Sequence, residues 1–164
     1  MTTNRLSLQK SVRQWIDIDH WSHPFGVTLT LKQRIWIDND RGRHVVTLTP
    51  EEGSQNLRHF LNVLNKQVYG SSSRRFGKRL PVIPVLEGGG TKRLHYHLVM
   101  DCPRDDLLEV FPSMVVMTWR DTVWGYDQTD IRPCDKGWID YITKLRDKPD
   151  FGESIDWLNC HNPH

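Results

Sequence analysis

Two apolar segments joined by three consecutive glycines constrain the fold of this chain more than any other feature. Residues 80–87 (LPVIPVLE) and 94–100 (LHYHLVM) are short and rich in apolar and β-branched residues, which is typical of strands. The glycines at 88–90 predict a tight turn, so the second strand should return antiparallel to the first. Pro81 and Pro84 favour an edge or irregular position for the first strand, because proline cannot donate a hydrogen bond to a neighbouring strand.

The remaining hydrophobic patterns give the order of elements around this hairpin. Further strands are predicted at 25–32, 35–37, 45–48 and 126–132, the second and third forming an additional hairpin. Helices are predicted over 50–69, over about 107–119 with a break near Pro112, and from Asp135 through Leu145. The segment between the first helix and the glycine hairpin is predicted to be a basic loop. The order βαββαβ predicts an α+β, ferredoxin/RRM-like fold, with an antiparallel sheet, helices on one face and a C-terminal helix that carries Tyr141.

The length and composition are those of one compact domain. The chain has 164 residues, so we expect a single domain over 1–164, with flanks at 1–20 and 150–164 that are hardest to assign. Trp15, Trp21 and Trp157 predict that parts of both flanks pack on the core. No apolar run is long enough to span a membrane or to form a signal peptide, so we expect no membrane partner. A cytoplasmic, non-secreted protein is expected (nuclear if the source is a eukaryotic virus), with three isolated reduced thiols at Cys102, Cys134 and Cys160.

Positive charge is concentrated in three segments although the formal net charge is only +2. One segment is residues 74–79, a second directly precedes the histidine strand, and a third follows Tyr141. Such clusters can neutralise phosphates, whereas a solvated loop is the alternative for 74–79. Their basic residues are Arg74, Arg75, Lys78 and Arg79; Lys92 and Arg93; and Lys144, Arg146 and Lys148.

His95 and His97 lie two positions apart on the second predicted strand. Side chains at this spacing leave the same face of a sheet, about 6–7 Å apart at Cα, while Tyr96 points to the opposite face. Glu87 ends the preceding strand, and the glycine turn should bring its carboxylate close to both imidazoles. Two histidines and one carboxylate suit Mg²⁺ or Mn²⁺ and leave positions open for phosphate and water, with zinc as the alternative.

Tyr141 and Lys144 share one face of the last predicted helix, and Lys148 would continue the row. A buried tyrosine beside a lysine with its stem along the surface is the ordinary explanation. The functional alternative is attack of the tyrosine on a phosphodiester polarised by a nearby cation.

Taken in order, these motifs resemble the HUH endonucleases, and among them the single-tyrosine replication initiators of rolling-circle plasmids and circular single-stranded DNA viruses. Residues 25–32 (FGVTLTLK) match the first motif, residues 95–97 the His-hydrophobic-His motif and residues 141–144 (YITK) the Tyr-x-x-Lys motif. The resemblance covers about residues 25–148. The first motif departs from the Phe-Thr-Leu-Asn-Asn form of the viral initiators, and the single tyrosine in the last helix disfavours the two-tyrosine initiators and relaxases.

The resemblance implies a site-specific, metal-dependent nickase and ligase of single-stranded DNA that initiates rolling-circle replication. A divalent metal, Mn²⁺ or Mg²⁺, on Glu87, His95 and His97 would polarise the phosphate. Tyr141 would form a 5′-phosphotyrosine, and Lys144 would position the phosphate. The implied partners are single-stranded DNA or origin or hairpin DNA, with a helicase and a polymerase. The DNA contacts would come from Thr28, Thr30, Arg74, Arg75, Lys78, Arg79, Lys92, Arg93 and Lys148.

Three other functions share parts of this pattern. A single-tyrosine HUH transposase has the same histidine strand and tyrosine helix, although the hairpin at 35–48 and the Tyr-x-x-Lys spacing favour the initiator. An RRM-like RNA-binding module would need aromatic residues on the exposed face of the central strands. A two-histidine phosphodiesterase would need a second His-x-Thr/Ser strand motif, and the other histidine in a strand-like context, His44, is isolated.

Overall fold

Strands and helices alternate along residues 2–144 and 151–163, which are the residues that the computed structural model describes. A short 3₁₀ turn, Asp105–Leu107, precedes the fourth helix. The strands are β1 (Pro24–Leu31), β2 (Arg34–Asn39), β3 (Gly42–Thr47), β4 (Val82–Gly89), β5 (Lys92–Asp101) and β6 (Gly125–Pro133). The helices are α1 (Thr2–Trp15), α2 (Pro50–Tyr69), α3 (Ser71–Phe76), α4 (Phe111–Arg120), α5 (Lys136–Ile142) and α6 (Phe151–Ser154).

The central sheet has four antiparallel strands in the order β4-β5-β1-β6, and β2 pairs with β3 in a separate hairpin. Without the hairpin, this is the strand order of the ferredoxin-like split βαβ arrangement. The predicted α+β fold is therefore confirmed. β4 lies at the edge of the sheet, as Pro81 and Pro84 predicted.

The first face of the sheet packs against α2 and α4. Thr49 caps α2 through a capping box with Glu52, and Pro50 lies in the first turn. The apolar stripe of α2 then meets α4 in the core, where the rings of Phe60 and Trp119 pack edge to face with centroids 5.3 Å apart. This core is built from the positions that the helical and strand periodicities predict.

The second face of the sheet is also covered, where the sequence pattern predicted helices on one face only. Val12 and Ile16 of the N-terminal segment and Ile139 and Ile142 of α5 form a second hydrophobic cluster with the strands. Val85 is one of the strand residues in this cluster. Most of α1 is polar and exposed, so its sequence carries little of the periodicity from which a packed helix is predicted.

Three other local predictions change. The segment predicted to be a basic loop begins with α3, which Gly77 ends in a left-handed conformation. Pro112 does not kink a longer helix but lies in the first turn of α4, where its missing N–H is harmless. α5 ends at Ile142 rather than continuing through Leu145. Leu145 and Lys148 lie outside the described residues.

The C-terminal segment covers the outer edge of β4. Val82 exchanges two backbone hydrogen bonds with His161, at 2.8 and 2.9 Å, and Ile155 forms a bridge to Val85. The rings of Trp15 and Trp157 lie 5.5 Å apart, so the two flanks of the chain contact each other. These contacts occupy backbone groups that an edge strand would otherwise leave open.

Two sequence-level predictions about chemistry are also answered by the fold. Cys102, Cys134 and Cys160 are free thiols, as their spacing predicted. Within the part of the chain that the structure describes, no helix combines the length and apolar character that a membrane span needs.

Gly26 is predicted to be essential for the docking of α5 on β1. A Cβ at this position would lie 2.9 Å from ring carbons of Trp138, so Gly26→Ala should cost about 1–3 kcal/mol of stability through overpacking. Thermal unfolding followed by circular dichroism measures the change. The matched control is Gly53→Ala in α2, where the added methyl meets Leu31 at an ordinary 3.6 Å and should be neutral or stabilising. Equal melting temperatures for Gly26→Ala and the unsubstituted protein would contradict this account of the docking.

Candidate metal centre and tyrosine site

The pairing of β4 with β5 brings Glu87, His95 and His97 together. Glu87 lies directly opposite His95 in the antiparallel register, and Val85 lies opposite His97. The carboxylate Oε2 is 3.6 Å from His95 Nε2 and 3.3 Å from His97 Nε2, and the two Nε2 atoms are 3.1 Å apart. In the residues that the structure describes, these three form the group of possible ligands whose donor atoms all lie within 4.8 Å of one another.

The glycine turn determines how this group is aimed. The β4–β5 register shifts between Glu87 and Gly89, so Gly88 lies in a β-bulge of the kind that redirects side chains near functional sites. Gly88 has a φ of +97°, and a Cβ there would lie 2.2 Å from the carbonyl oxygen of Arg93. Glycine is therefore required by both the backbone conformation and the close approach.

That same carbonyl orients one of the imidazoles. His95 Nδ1 lies 2.9 Å from the Arg93 carbonyl oxygen, which can only accept, so Nδ1 must carry a proton. Neutral His95 consequently presents the Nε2 lone pair to the centre of the group. His97 Nδ1 lies 3.0 Å from the Thr28 hydroxyl, which holds the second ring in the same way. Partners of this type commonly orient metal-ligating histidines.

The electrostatics of the group favour a cation. The side chains of Glu87 and His97 are largely buried, and a buried carboxylate needs positive charge nearby. In the metal-free protein that charge comes in part from a proton, because the hydrogen bond to Glu87 raises the pKa of His95 above its ordinary value against the opposing effect of burial. Two imidazole nitrogens and a carboxylate oxygen directed at one point fit a divalent metal, and three protein ligands leave positions open.

α5 places Tyr141 beside this centre. Asp135 caps the helix by accepting a hydrogen bond from the Trp138 backbone N–H at 2.9 Å. The Trp138 indole donates to the Leu98 carbonyl, and its ring stacks on Tyr141 with centroids 5.5 Å apart. The Tyr141 ring lies 5.2 Å from the imidazole of His97 and is 44% exposed.

Lys144 follows α5 instead of belonging to it. Thr143 ends the helix, and the Lys144 ammonium lies 3.8 Å from the centroid of the Tyr141 ring. The predicted proximity of these two side chains is therefore present, although it arises from the chain folding over the ring and not from a shared helix face.

Sequence reasoning did not identify the contribution of α1 to this site. Gln9 donates to the backbone carbonyl of Thr143 at 2.8 Å, and Arg13 Nε donates to the Thr143 hydroxyl at 2.7 Å. Arg13 also donates to the Asp140 carbonyl at 3.3 Å. The end of the tyrosine helix is thus held by residues more than a hundred positions away, and no local pattern could indicate that contact.

The predicted DNA-binding residues fall into two separate groups. Thr28 and Thr30 lie opposite His97 and His95 on β1, and Lys92 and Arg93 begin the histidine strand, so all four adjoin the metal centre. The basic residues of 74–79 precede the other end of β4, about 17 Å from Glu87 along the strand. Lys148 lies outside the described residues. Trp138 was predicted only as a helix residue, although its spacing of three from Tyr141 already indicated a shared face.

The fold and the site define a class: an α+β protein whose central sheet carries a candidate His-His-Glu metal centre with a tyrosine packed against it. A model of the family described as replication-associated protein ORF2 matches residues 24–150. The chain belongs to this replication-associated family, in agreement with the resemblance that the motifs indicated. No curated protein and no solved structure matches the chain.

Metal binding should stabilise the protein through these three ligands. At a free Mn²⁺ concentration 100 times the Kd, the gain is about 2.7 kcal/mol, measured as a rise in melting temperature. His97→Ala should weaken Mn²⁺ binding at least tenfold, whereas His44→Ala on the exposed hairpin should not alter it. Binding should weaken as the pH falls, beginning above 6.5, because ligand nitrogens must be unprotonated and the pKa of His95 is raised. An equal response to Mn²⁺ in His97→Ala and the unsubstituted protein would remove this histidine from the centre.

Proposed function

We propose that this protein is a metal-dependent nickase of single-stranded DNA that forms a covalent 5′-phosphotyrosine and initiates rolling-circle replication. The observation that carries the proposal is the packing of Tyr141 against His97, with ring centroids 5.2 Å apart. A nucleophile at that distance can reach a phosphate bound at the open positions of the metal centre. Membership of a replication-associated family supports the biological role.

Glu87, His95 and His97 are the residues that would hold the metal. When bound, a divalent ion such as Mn²⁺ or Mg²⁺ supplies positive charge that polarises the phosphodiester and offsets the charge developing on it. The Arg93 carbonyl and the Thr28 hydroxyl hold the two imidazoles in orientation, and the largely buried carboxylate of Glu87 keeps the centre neutral enough to accept a substrate phosphate.

The proposed chemical step is a transesterification at phosphorus. The Tyr141 hydroxyl loses its proton to water, and its oxygen forms a bond to the phosphorus of the scissile phosphodiester. The bond from phosphorus to the 3′ oxygen breaks, and that oxygen takes up a proton. One phosphodiester is exchanged for another, so the step requires no energy input and can be reversed to rejoin the strand.

The surrounding residues supply positioning. Trp138 stacks on Tyr141 and limits its rotation, since the indole is itself anchored to the sheet by its hydrogen bond to Leu98. Lys144 covers the other part of the Tyr141 ring and is available to contact a phosphate oxygen. Lys92 and Arg93 add charge at the same end of the sheet.

The site argues against an RRM-like RNA-binding function. The central strands β1 and β5 present Thr28, Thr30, His95 and His97 on the face where an RRM stacks bases on aromatic rings. The one aromatic residue between the histidines, Tyr96, is fully buried on the opposite face.

Tyr141→Phe should abolish formation of a covalent protein–DNA adduct, because it removes the attacking oxygen and leaves the ring packing intact. The assay incubates the protein with random-sequence single-stranded DNA and Mn²⁺ and detects a denaturant-resistant adduct on a gel. DNA affinity should change less than twofold, and Tyr69→Phe in α2 is the matched control that should retain the adduct. EDTA should stop the reaction, and Mn²⁺ or Mg²⁺ should restore it.

Two results would reject this proposal. An adduct formed normally by Tyr141→Phe would exclude Tyr141 as the nucleophile. Full activity in chelator would exclude a role for Glu87, His95 and His97 in the chemistry.

The affinity for short single strands should depend on salt through Lys92 and Arg93. For an oligonucleotide of about four nucleotides, replacing both residues by alanine should lower the slope of log K against log salt by about 1.4, at about 0.7 per phosphate contact. Arg74→Ala combined with Arg75→Ala should change the slope only for longer strands, because these residues lie at the other end of β4. A slope unaffected by either pair, for short and long strands alike, would show that both clusters are only solvated surface.

A further inference from the structure

The sheet face that carries the metal centre is only partly covered. α5 covers the region around Gly26 and Leu98, where Trp138 packs and donates its hydrogen bond. Toward the other end of β1 the face is more open, and Thr30 and His95 are only half-buried there. A strand of DNA that reaches the centre has this open region as its path.

A bulge in β6 borders the open region. Leu29 pairs with Thr129 and Leu31 pairs with Gly125, so three residues of β6, 126–128, lie opposite the single residue Thr30. The Thr30 hydroxyl donates to the Gln128 carbonyl at 2.5 Å, which closes the bulge from inside the sheet. Bulges increase local bending and redirect side chains beside functional sites.

The residue that opens this bulge, Tyr126, lies under the guanidinium of Arg93. Arg93 is two positions before His95 and therefore leaves the same face of β5. Its Cζ lies 4.3 Å from the centroid of the Tyr126 ring, so the side chain extends across the end of β1 to reach β6. Arg93 is exposed and Tyr126 is half-buried, which leaves the pair accessible from solvent.

We propose that Tyr126 and Arg93 form a base-stacking subsite for a nucleotide next to the phosphate at the metal centre. The inference rests on the proposed function and extends it from the scissile phosphate to a neighbouring base. It assigns a role to Tyr126, which the motifs do not identify.

The chemistry of the pair fits a nucleotide better than other ligands. A tyrosine ring and a planar guanidinium both stack on the faces of bases, and the guanidinium also carries charge for the adjoining phosphate. The separation of β5 from β6 across β1 is about 10 Å, which keeps a base at Tyr126 within reach of a phosphate at His95. Stacking of this kind accepts any base, so the subsite holds the strand in place without reading its sequence.

The subsite can be tested by photo-crosslinking without any need for cleavage. The unsubstituted protein in EDTA is irradiated with oligothymidine in which 5-iododeoxyuridine replaces one thymidine, and the modified residue is mapped by mass spectrometry. We expect the crosslink on Tyr126 and none on Tyr69, which lies at the far end of α2.

Binding measurements on variants give the second readout. Tyr126→Ala should weaken the Kd for oligothymidine about tenfold, within the range for loss of one stacked base, and Tyr126→Phe should keep it within twofold. Arg93→Lys should weaken binding although the charge is kept, because the planar group is lost. Arg120→Ala on α4 is the matched charge control and should bind like the unsubstituted protein. The Mn²⁺ affinity and the melting temperature should be the same in Tyr126→Ala and Tyr126→Phe.

The outcomes separate this inference from the proposed function. An unchanged Kd for Tyr126→Ala together with a crosslink elsewhere would overturn the subsite, even if the unsubstituted protein forms its adduct through Tyr141. A crosslink on Tyr126 with the expected loss of affinity would establish the subsite, whether or not a covalent adduct forms. A large fall in melting temperature for Tyr126→Ala but not Tyr126→Phe, with no crosslink on Tyr126, would assign the ring a purely structural role.

Discussion

The pairing of β4 with β5 across the glycine bulge is the constraint on which the rest of the site depends. The bulge sets Glu87 opposite His95, and the close approach of Gly88 to the Arg93 carbonyl is possible only without a side chain. That carbonyl in turn holds His95 with its Nε2 directed at the carboxylate. One backbone feature therefore determines both the position of the carboxylate and the tautomer of an imidazole, which are the two properties that a metal centre requires.

The tyrosine reaches this centre by a different route. Nothing in α5 itself directs Tyr141 toward His97; the helix is held at one end by Trp138 against Gly26 and Leu98 and at the other by α1. The site is consequently rigid at the sheet and supported by contacts between distant parts of the chain at the helix. Part of that support, from α1, lies before residue 24, where the match to the replication-associated family begins. The flanks are thus part of the machinery that positions the nucleophile.

The two faces of the sheet serve different purposes. One is sealed by α2 and α4 and contains Tyr96, Phe60 and Trp119, the large buried side chains that supply the stability of the fold. The other is divided between a region covered by α1 and α5 and an open region that leads from His95 to Tyr126. A substrate strand can approach the metal centre along the open region because the helices that position Tyr141 do not extend over it.

The sequence by itself determined the order of the strands along the chain, the shared face of His95 and His97 and the nearness of Glu87, because these follow from the two-residue period of a strand and the shortness of a glycine turn. It also determined the start of α2, since a capping box is local. Only the tertiary structure decided that α1 and α5 cover the second face, that the 74–79 cluster lies far from the centre and that Arg93 lies over Tyr126. Each of these depends on contacts between segments far apart in the chain, which leave no periodicity or spacing in the sequence from which they could be read.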